Sequence, residues 1–260
     1  MSEDVLLAEH RPPVLILTLN RPQARNALNF ELLQALELAL SEVHVSEDLR
    51  VLIVTGTGDR AFCAGADLKE RLTMSDGEVR QFLSRIRSLF IKIEALPLPV
   101  IAAINGVALG GGVELVLACD LRVAVAEATM GLTETQLAII PGAGGTQRLP
   151  RLIGPGLAKE LIYTGRQLTA QEALAAGLIN HLAEKDTLME ISLALADKIS
   201  QGGPIALAQA KHAINKGLDV DLQTGLDIEA SGYEKCIPTE DRLEGLRAFR
   251  EKRKPVYKGR

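Results

Sequence analysis

Apolar positions recur along this chain in two rhythms. Val14-Leu15-Ile16-Leu17-Thr18-Leu19, Val51-Leu52-Ile53-Val54-Thr55, Val100-Ile101-Ala102-Ala103-Ile104 and Leu121-Arg122-Val123-Ala124-Val125 are short, nearly continuous apolar runs. Runs of that length read as strands covered on both faces. The first stops at Asn20-Arg21-Pro22 and the second at Gly56-Thr57-Gly58. Between them the period lengthens to that of a helix. Leu32, Leu33, Leu36 and Leu40 share one face of a segment from Phe30 to about Val43, and Val79, Phe82, Leu83, Ile86, Leu89 and Phe90 do so from Asp76 to Leu96, where Pro97 and Pro99 end the pattern. Glu114 to Cys119 predicts a short helix. From about Gly156 onward the pattern is almost wholly helical, broken at places such as Gly202-Gly203-Pro204. Strands alternating with helices predict an α/β fold with buried sheets, followed by a helical C-terminal part.

Two glycine-bearing loops interrupt this order where strands give way to helices. Gly110-Gly111-Gly112-Val113-Glu114 follows the third strand, and each glycine in regular structure costs about 0.5–1 kcal/mol relative to alanine. Such a loop lets another group approach the main chain, and free N–H groups at a helix start favour negative charge. An oxyanion site and a tight packing turn both fit. Phe62-Cys63-Ala64-Gly65-Ala66-Asp67-Leu68-Lys69-Glu70, after the second strand, has small residues and a helix start at Asp67. Two loops at the ends of neighbouring strands can converge their N–H groups on one carbonyl oxygen, stabilising a developing enolate. They can equally be ordinary connections.

Two carboxylates stand near these features. Glu114 is flanked by Val113, Leu115, Val116 and Leu117, and Glu134 precedes Leu137-Ala138-Ile139-Ile140-Pro141. Apolar company raises a carboxyl pKa, and paired carboxyls of unequal pKa serve acid/base chemistry. Gly56-Thr57-Gly58-Asp59-Arg60-Ala61 has the form of a dinucleotide fingerprint, but Phe62-Cys63-Ala64-Gly65 does not continue it as a helix. Cys63 has no histidine near it in sequence and reads as a small core thiol.

Composition narrows the class. The chain has 260 residues, 47% hydrophobic and 24% charged, in the ordinary globular range. A formal net charge of -4 gives no global attraction for nucleic acid or an anionic membrane, although Lys252-Arg253-Lys254 is a local basic cluster. No apolar stretch reaches membrane-spanning length, and Met1 to His10 has neither a secretory nor a transit pattern. Three widely spaced cysteines, Cys63, Cys119 and Cys236, suit reduced thiols in a cytoplasm, and the four histidines form no metal motif. A cytoplasmic enzyme without a metal is the expectation.

The motifs resemble the enoyl-CoA hydratase/isomerase (crotonase) family over nearly the whole chain. The resemblance rests on Asn20-Arg21-Pro22 with Asn26-Ala27-Leu28, on Phe62 to Lys69, on Ala103-Ile104-Asn105-Gly106 through Leu115, and on Cys119-Asp120-Leu121-Arg122. It continues through Ile140-Pro141-Gly142-Ala143-Gly144-Gly145-Thr146-Gln147-Arg148-Leu149 and Arg242-Leu243-Glu244-Gly245 with Phe249 to Arg253. It implies a crotonase-like ββα spiral core, residues 1–200, that carries the active site, and a helical C-terminal trimerisation region, residues 201–260.

The resemblance also implies roles. Ala66 and Gly111 match the oxyanion-hole donors, and Glu114 and Glu134 match the paired glutamates of the hydratase branch. Glu114 assists attack of water at C3 and Glu134 exchanges a proton at C2. The strip Ala64, Ala66, Asp67, Leu68 and Lys69 resembles the segment that holds CoA, with Arg25 as a further cation. Phe249 and Lys252 match positions that reach the CoA of a neighbouring subunit in a homotrimer or a dimer of trimers. No cofactor is implied, because coenzyme A is part of the substrate. Gly131-Leu132-Thr133-Glu134-Thr135 and Ile237 to Gly245 look especially like the methylglutaconyl-CoA hydratase subgroup. A general short-chain hydratase, a Δ3-Δ2-enoyl-CoA isomerase and an RNA-binding relative are the other readings.

Overall fold

A computed structural model describes residues 4–46 and 48–260; residues 1–3, which open the N-terminal stretch read above, lie outside the described residues. The strands are β1 (Leu6–Arg11), β2 (Val14–Leu19), β3 (Val51–Gly56), β4 (Ala61–Cys63), β5 (Val100–Ile104), β6 (Val107–Leu109), β7 (Leu121–Val125), β8 (Thr129–Gly131), β9 (Leu168–Thr169) and β10 (His181–Ala183). The first helices are α1 (Phe30–Val45), α2 (Leu68–Arg71), α3 (Asp76–Glu94), α4 (Gly111–Ala118), α5 (Gly145–Ile153) and α6 (Pro155–Thr164). There follow α7 (Ala170–Ala175), α8 (Leu188–Ser200), α9 (Pro204–Gly217), α10 (Leu222–Cys236) and α11 (Glu240–Glu251).

The apolar runs do form the main sheet, in the order β1-β2-β3-β5-β7-β10. Its pairs from β2 to β10 are parallel, and β1 adds antiparallel to β2. A second sheet runs β4-β6-β8-β9. The chain therefore lays one strand in the large sheet, one in the small sheet and then a helix, as in β3-β4-α3 and β5-β6-α4. This is the ββα repeat that the resemblance implies. Two expectations need correction. The segment beyond Gly156 contributes β9 and β10, and β10 completes the edge of the main sheet against β7. The Phe62-Cys63 part of the first glycine loop is strand β4, paired with β6. Strands of two or three residues carry too few side chains for a period to show.

Capping fixes where the helices begin. Asn29 accepts from the Leu32 N–H at the start of α1, and Ser75 with Glu78 forms a reciprocal capping box on α3. Strand-to-helix connections are closed by buried amides. Asn26, fully buried, donates through Nδ2 to the carbonyls of Thr57 and Ala61, and its Oδ1 accepts from the Arg21 N–H. These bonds bind the loops after β2 and β3 together beside the first glycine loop.

An ion pair helps to tie the C-terminal helices to the sheet. Lys211 on α9 donates to Asp120 Oδ2 at 2.7 Å and to the Leu98 carbonyl at 3.1 Å, with its side chain 9% exposed. Asp120 Oδ2 also accepts from the Val100 N–H, at the start of β5. Burial pushes the Asp120 carboxyl up, and Lys211 pulls it back. Removing one partner of a largely buried pair leaves the other uncompensated. Lys211→Ala is expected to destabilise the chain by about 3 kcal/mol in urea denaturation; a loss below about 1 kcal/mol would assign the pair the weight of a surface contact.

Candidate active site

The two glycine loops meet main chain to main chain. A Cβ placed on Gly112 would lie 2.1 Å from the Cys63 carbonyl oxygen, and one on Gly65 would lie 2.8 Å from the Leu109 oxygen and 3.3 Å from the Gly111 nitrogen. Only glycine permits that approach. Gly65 has φ +89 and Gly110 φ +50, backbone conformations that side-chain-bearing residues rarely adopt. The first loop is held from behind: Ala64 N–H donates to Arg25 O, Leu28 N–H to Gly65 O and Asp67 N–H to Leu28 O. The Gly110 N–H donates to Gly131 O. Neither the Ala66 nor the Gly111 N–H donates to a protein acceptor among the described residues. The two are adjacent, since a Cβ on Gly111 would stand 3.7 Å from the Ala66 nitrogen. Gly111 also opens α4, whose unsatisfied N–H groups and dipole favour negative charge.

Glu114 lies one turn into α4 and is 3% exposed. Its Oε1 accepts from the Ala143 N–H at 2.7 Å and the Gly145 N–H at 2.8 Å, at the start of α5. Burial pushes the carboxyl up, opposed by those two hydrogen bonds and by the charges of Arg148 and Arg87. The loop that clasps Glu114 is itself clamped. Arg148 donates to the Ala143 carbonyl at 3.0 Å and, from Nε and Nη2, to both oxygens of Glu94. Arg87 donates to the Gly142 carbonyl at 3.1 and 3.3 Å. Gly144, at φ +114, leaves room for the Arg148 guanidinium, which a Cβ there would meet at 2.0 Å.

Glu134 opens a 3-10 turn (Glu134–Leu137) after β8. Its Oε1 would be 3.0 Å from a Cβ on Gly110, so the carboxyl faces the Gly110–Gly112 loop. Its Oε2 is buried with no partner. Burial, opposed by the group's own N–H and reinforced by the charge of Glu114, pushes its pKa up to about 7. The predicted donors and both predicted glutamates are thus brought to one place. A carboxyl held as acceptor and another able to keep a proton at neutral pH flank two free N–H groups.

The other expected residues divide. Arg25, at φ 51, and Lys69 are exposed beside the first loop, Leu68 is 53% exposed, and Ala64 is half-buried. Asp67 has a structural position. It caps α2 by accepting from the Lys69 and Glu70 N–H groups and pairs with Arg21 at 2.9 Å. Burial pushes its carboxyl up, but Arg21 and the cap together hold it below the usual range. Phe249, 86% exposed, and Lys252, at φ 53, lie at the end of α11 and are bonded to none of the cluster among the described residues. Cys63 is fully buried, and burial pushes its thiol up to about 12. The Gly56–Ala61 stretch runs into β4 and so lacks the helix a dinucleotide site requires. Among the described residues, no group of three or more His, Cys, Asp or Glu could hold a metal ion, and no helix is long and apolar enough to cross a membrane. A cavity of about 890 Å³ lies elsewhere, between α9, α10 and α11.

The profile of the enoyl-CoA hydratase/isomerase family matches residues 9–260. The chain belongs to that family. YngF of Bacillus subtilis strain 168, named for the enoyl-CoA hydratase/isomerase family, is 56% identical over 259 residues, covering 100% of both chains. Human mitochondrial methylglutaconyl-CoA hydratase is 51% identical over 257 residues, covering 97% of this chain and 76% of the relative. The crystal structure of an enoyl-CoA hydratase from Bacillus anthracis superposes with a TM-score of 0.97 at 54% identity, covering 98% of this chain and 100% of that one. The chain is accordingly an enzyme with the crotonase fold, in a family that acts on acyl-CoA thioesters. The residues Gly142 to Arg148 belong to the family pattern in the sequence, whereas the clamp that Arg87, Glu94 and Arg148 build on them appears only in the fold. The one signal was glycines packed ahead of an arginine at a helix start.

The raised pKa of Glu134 has a sign for stability. Its ordinary value is 4.5, and in the folded chain it rises to about 7. Between those values the folded chain binds the extra proton, so stability falls as pH rises through the window and the full penalty is present above it. Glu134→Gln is expected to raise Tm by about 2–4 °C at pH 8 and to leave it unchanged at pH 4. Equal shifts at both pH values in a thermal melt would contradict this origin.

Proposed function

We propose that the chain is an enoyl-CoA hydratase that adds water reversibly across the C2=C3 bond of a 2-enoyl-CoA, with 3-methylglutaconyl-CoA as its substrate. The single observation that carries this reading is the pair of upward-shifted carboxyls, Glu114 and Glu134, against two adjacent N–H groups at Ala66 and Gly111 that have no protein acceptor among the described residues. The thioester oxygen lies between those donors, which bind the enolate more strongly than the ground-state carbonyl. Glu114, ionised and held through Oε1, takes a proton from water as its oxygen attacks C3. Glu134 delivers its proton to C2. The unpartnered Glu134 Oε2 and the second oxygen of Glu114 are the free acceptors for that water.

CoA is part of the substrate, and the reading needs no further cofactor. Its phosphates suit Arg25 and Lys69 at the 64–69 strip, where Asp67 acts by shaping the loop. Phe249 and Lys252 reach the CoA of a neighbouring subunit in a trimer or a dimer of trimers. Leu243 at 51%, Leu246 at 61% and Phe249 at 86% exposure give α11 the apolar face such an interface uses. The methylglutaconyl substrate is supported by the Gly131–Thr135 and Ile237–Gly245 motifs and by relatives of that name at 51–52% identity.

Purified enzyme should lower the enoyl absorbance of 3-methylglutaconyl-CoA to an equilibrium value. Glu114→Gln and Glu134→Gln should each lower kcat by more than about a hundredfold, and near-native rates in both variants would sink the mechanism. Hydration needs Glu134 protonated with Glu114 ionised, and dehydration the reverse, so both directions use the pair carrying one proton. kcat/KM should therefore be bell-shaped, falling about tenfold per pH unit once that proton is lost, near the Glu134 value of about 7. The profile should be the same in both directions, because hydration exchanges no net proton with solvent.

A further inference from the structure

Three residues of α3 form a wall beside the glutamates. Leu83, Ile86 and Arg87 are three and four positions apart and share one face of that helix. The Ile86 Cδ1 lies 3.5 Å from the place of a Cβ on Gly111, and the Leu83 Cδ2 3.0 Å from that of a Cβ on Gly142. Arg87 donates from Nε and Nη2 to the Gly142 carbonyl. The wall therefore runs from the oxyanion donors to the loop that clasps Glu114, with a guanidinium at its far end.

That guanidinium differs from its neighbours. Arg85 on the same helix is paired with Glu37 at 2.7 Å, and Arg148 on the same loop with Glu94 at 2.7 Å. Arg87 has no carboxylate partner among the described residues and is exposed, and one edge is engaged by a backbone oxygen while Nη1 is free. The charged groups facing this part of the site are Glu114 on α4, Glu134 after β8, Arg148 on α5 and Glu94 further along α3. Arg148 is already neutralised by Glu94. A substrate bringing a further carboxylate meets the two site glutamates, and Arg87 is the cation left to balance it. A planar guanidinium with free N–H groups matches a carboxylate in geometry as well as charge.

We propose that Arg87 receives the distal carboxylate of a dicarboxylic 2-enoyl-CoA and so selects such substrates over uncharged enoyl-CoAs of similar length. This assignment rests on the hydratase reading above. The test is the ratio of kcat/KM for 3-methylglutaconyl-CoA to that for crotonyl-CoA in the full chain. Arg87→Met should lower the ratio by about 10–100-fold, the range for a hydrogen bond to a charged group. Arg87→Lys should retain part of it, and Arg87→Glu should lower it further. A ratio unchanged in Arg87→Met, whether both activities fall together or neither falls, would overturn the assignment and leave Arg87 as a support for Gly142. A wild-type enzyme that hydrates crotonyl-CoA without preferring the dicarboxylic substrate would instead overturn the substrate reading, and this assignment with it.

Discussion

The constraint on which the site depends is the contact of bare main chain with main chain where β4 ends and α4 begins. Gly112 is seated against the Cys63 carbonyl, and Gly65 against Leu109 and Gly111, at separations that exclude even a methyl group. Strand β4 and the β6–α4 connection, neighbours in the small sheet, are thereby held together at the point where the Ala66 and Gly111 N–H groups emerge side by side. Hydrogen bonds to Arg25 and Leu28 fix the first loop from behind, and the buried Asn26 bonds the loop below it. Donors held in this way need no rearrangement as charge develops on a bound oxygen, which is the condition under which such groups act most strongly.

The two glutamates show how similar side chains acquire different properties from their surroundings. Glu114 is the more deeply buried, yet it accepts two N–H groups at a helix start and feels two arginines. Glu134 has an oxygen with no donor and a negative neighbour. Desolvation acts on both, and hydrogen bonding relieves mainly the first. The relief depends on a further layer, in which Arg148 and Arg87 hold consecutive carbonyls of the clasping loop and Glu94 neutralises Arg148. Positions Glu94 and Arg148 are far apart in sequence, so this layer exists only after α3 and α5 have packed.

The legibility of the chain follows from the range of the forces involved. Strands β2, β3, β5 and β7 are readable because both faces are buried and all but a few of their residues, such as Thr55 and Arg122, are apolar. The long helices α1 and α3 were readable from their spacing. β4, β6, β8, β9 and β10 have two or three residues each, and their pairing is decided by neighbours rather than by local pattern. At the site, the glycines advertised a close approach and the apolar flanks of Glu114 its burial. That the two loops meet, and that Glu134 faces Gly110, follows from β4, β6 and β8 lying side by side in the small sheet, a pairing that no local pattern shows. Asp67 shows both cases, since its helix start is legible in the sequence while its ion pair with Arg21, 46 positions away, exists only in the fold.

Cys63 bears on the durability of such a site. Its backbone carbonyl forms the seat of Gly112, next to Gly111 at the start of α4. Acyl-CoA thioesters that carry an α,β-double bond are soft electrophiles, and thiolates add to them at C3. With its thiol fully buried and pushed up to about 12, Cys63 stays protonated at neutral pH. A thiol kept protonated is a poor nucleophile, so Cys63 can fill this part of the core without reacting with such compounds. The burial that seats its backbone against Gly112 also keeps its sulfur inert.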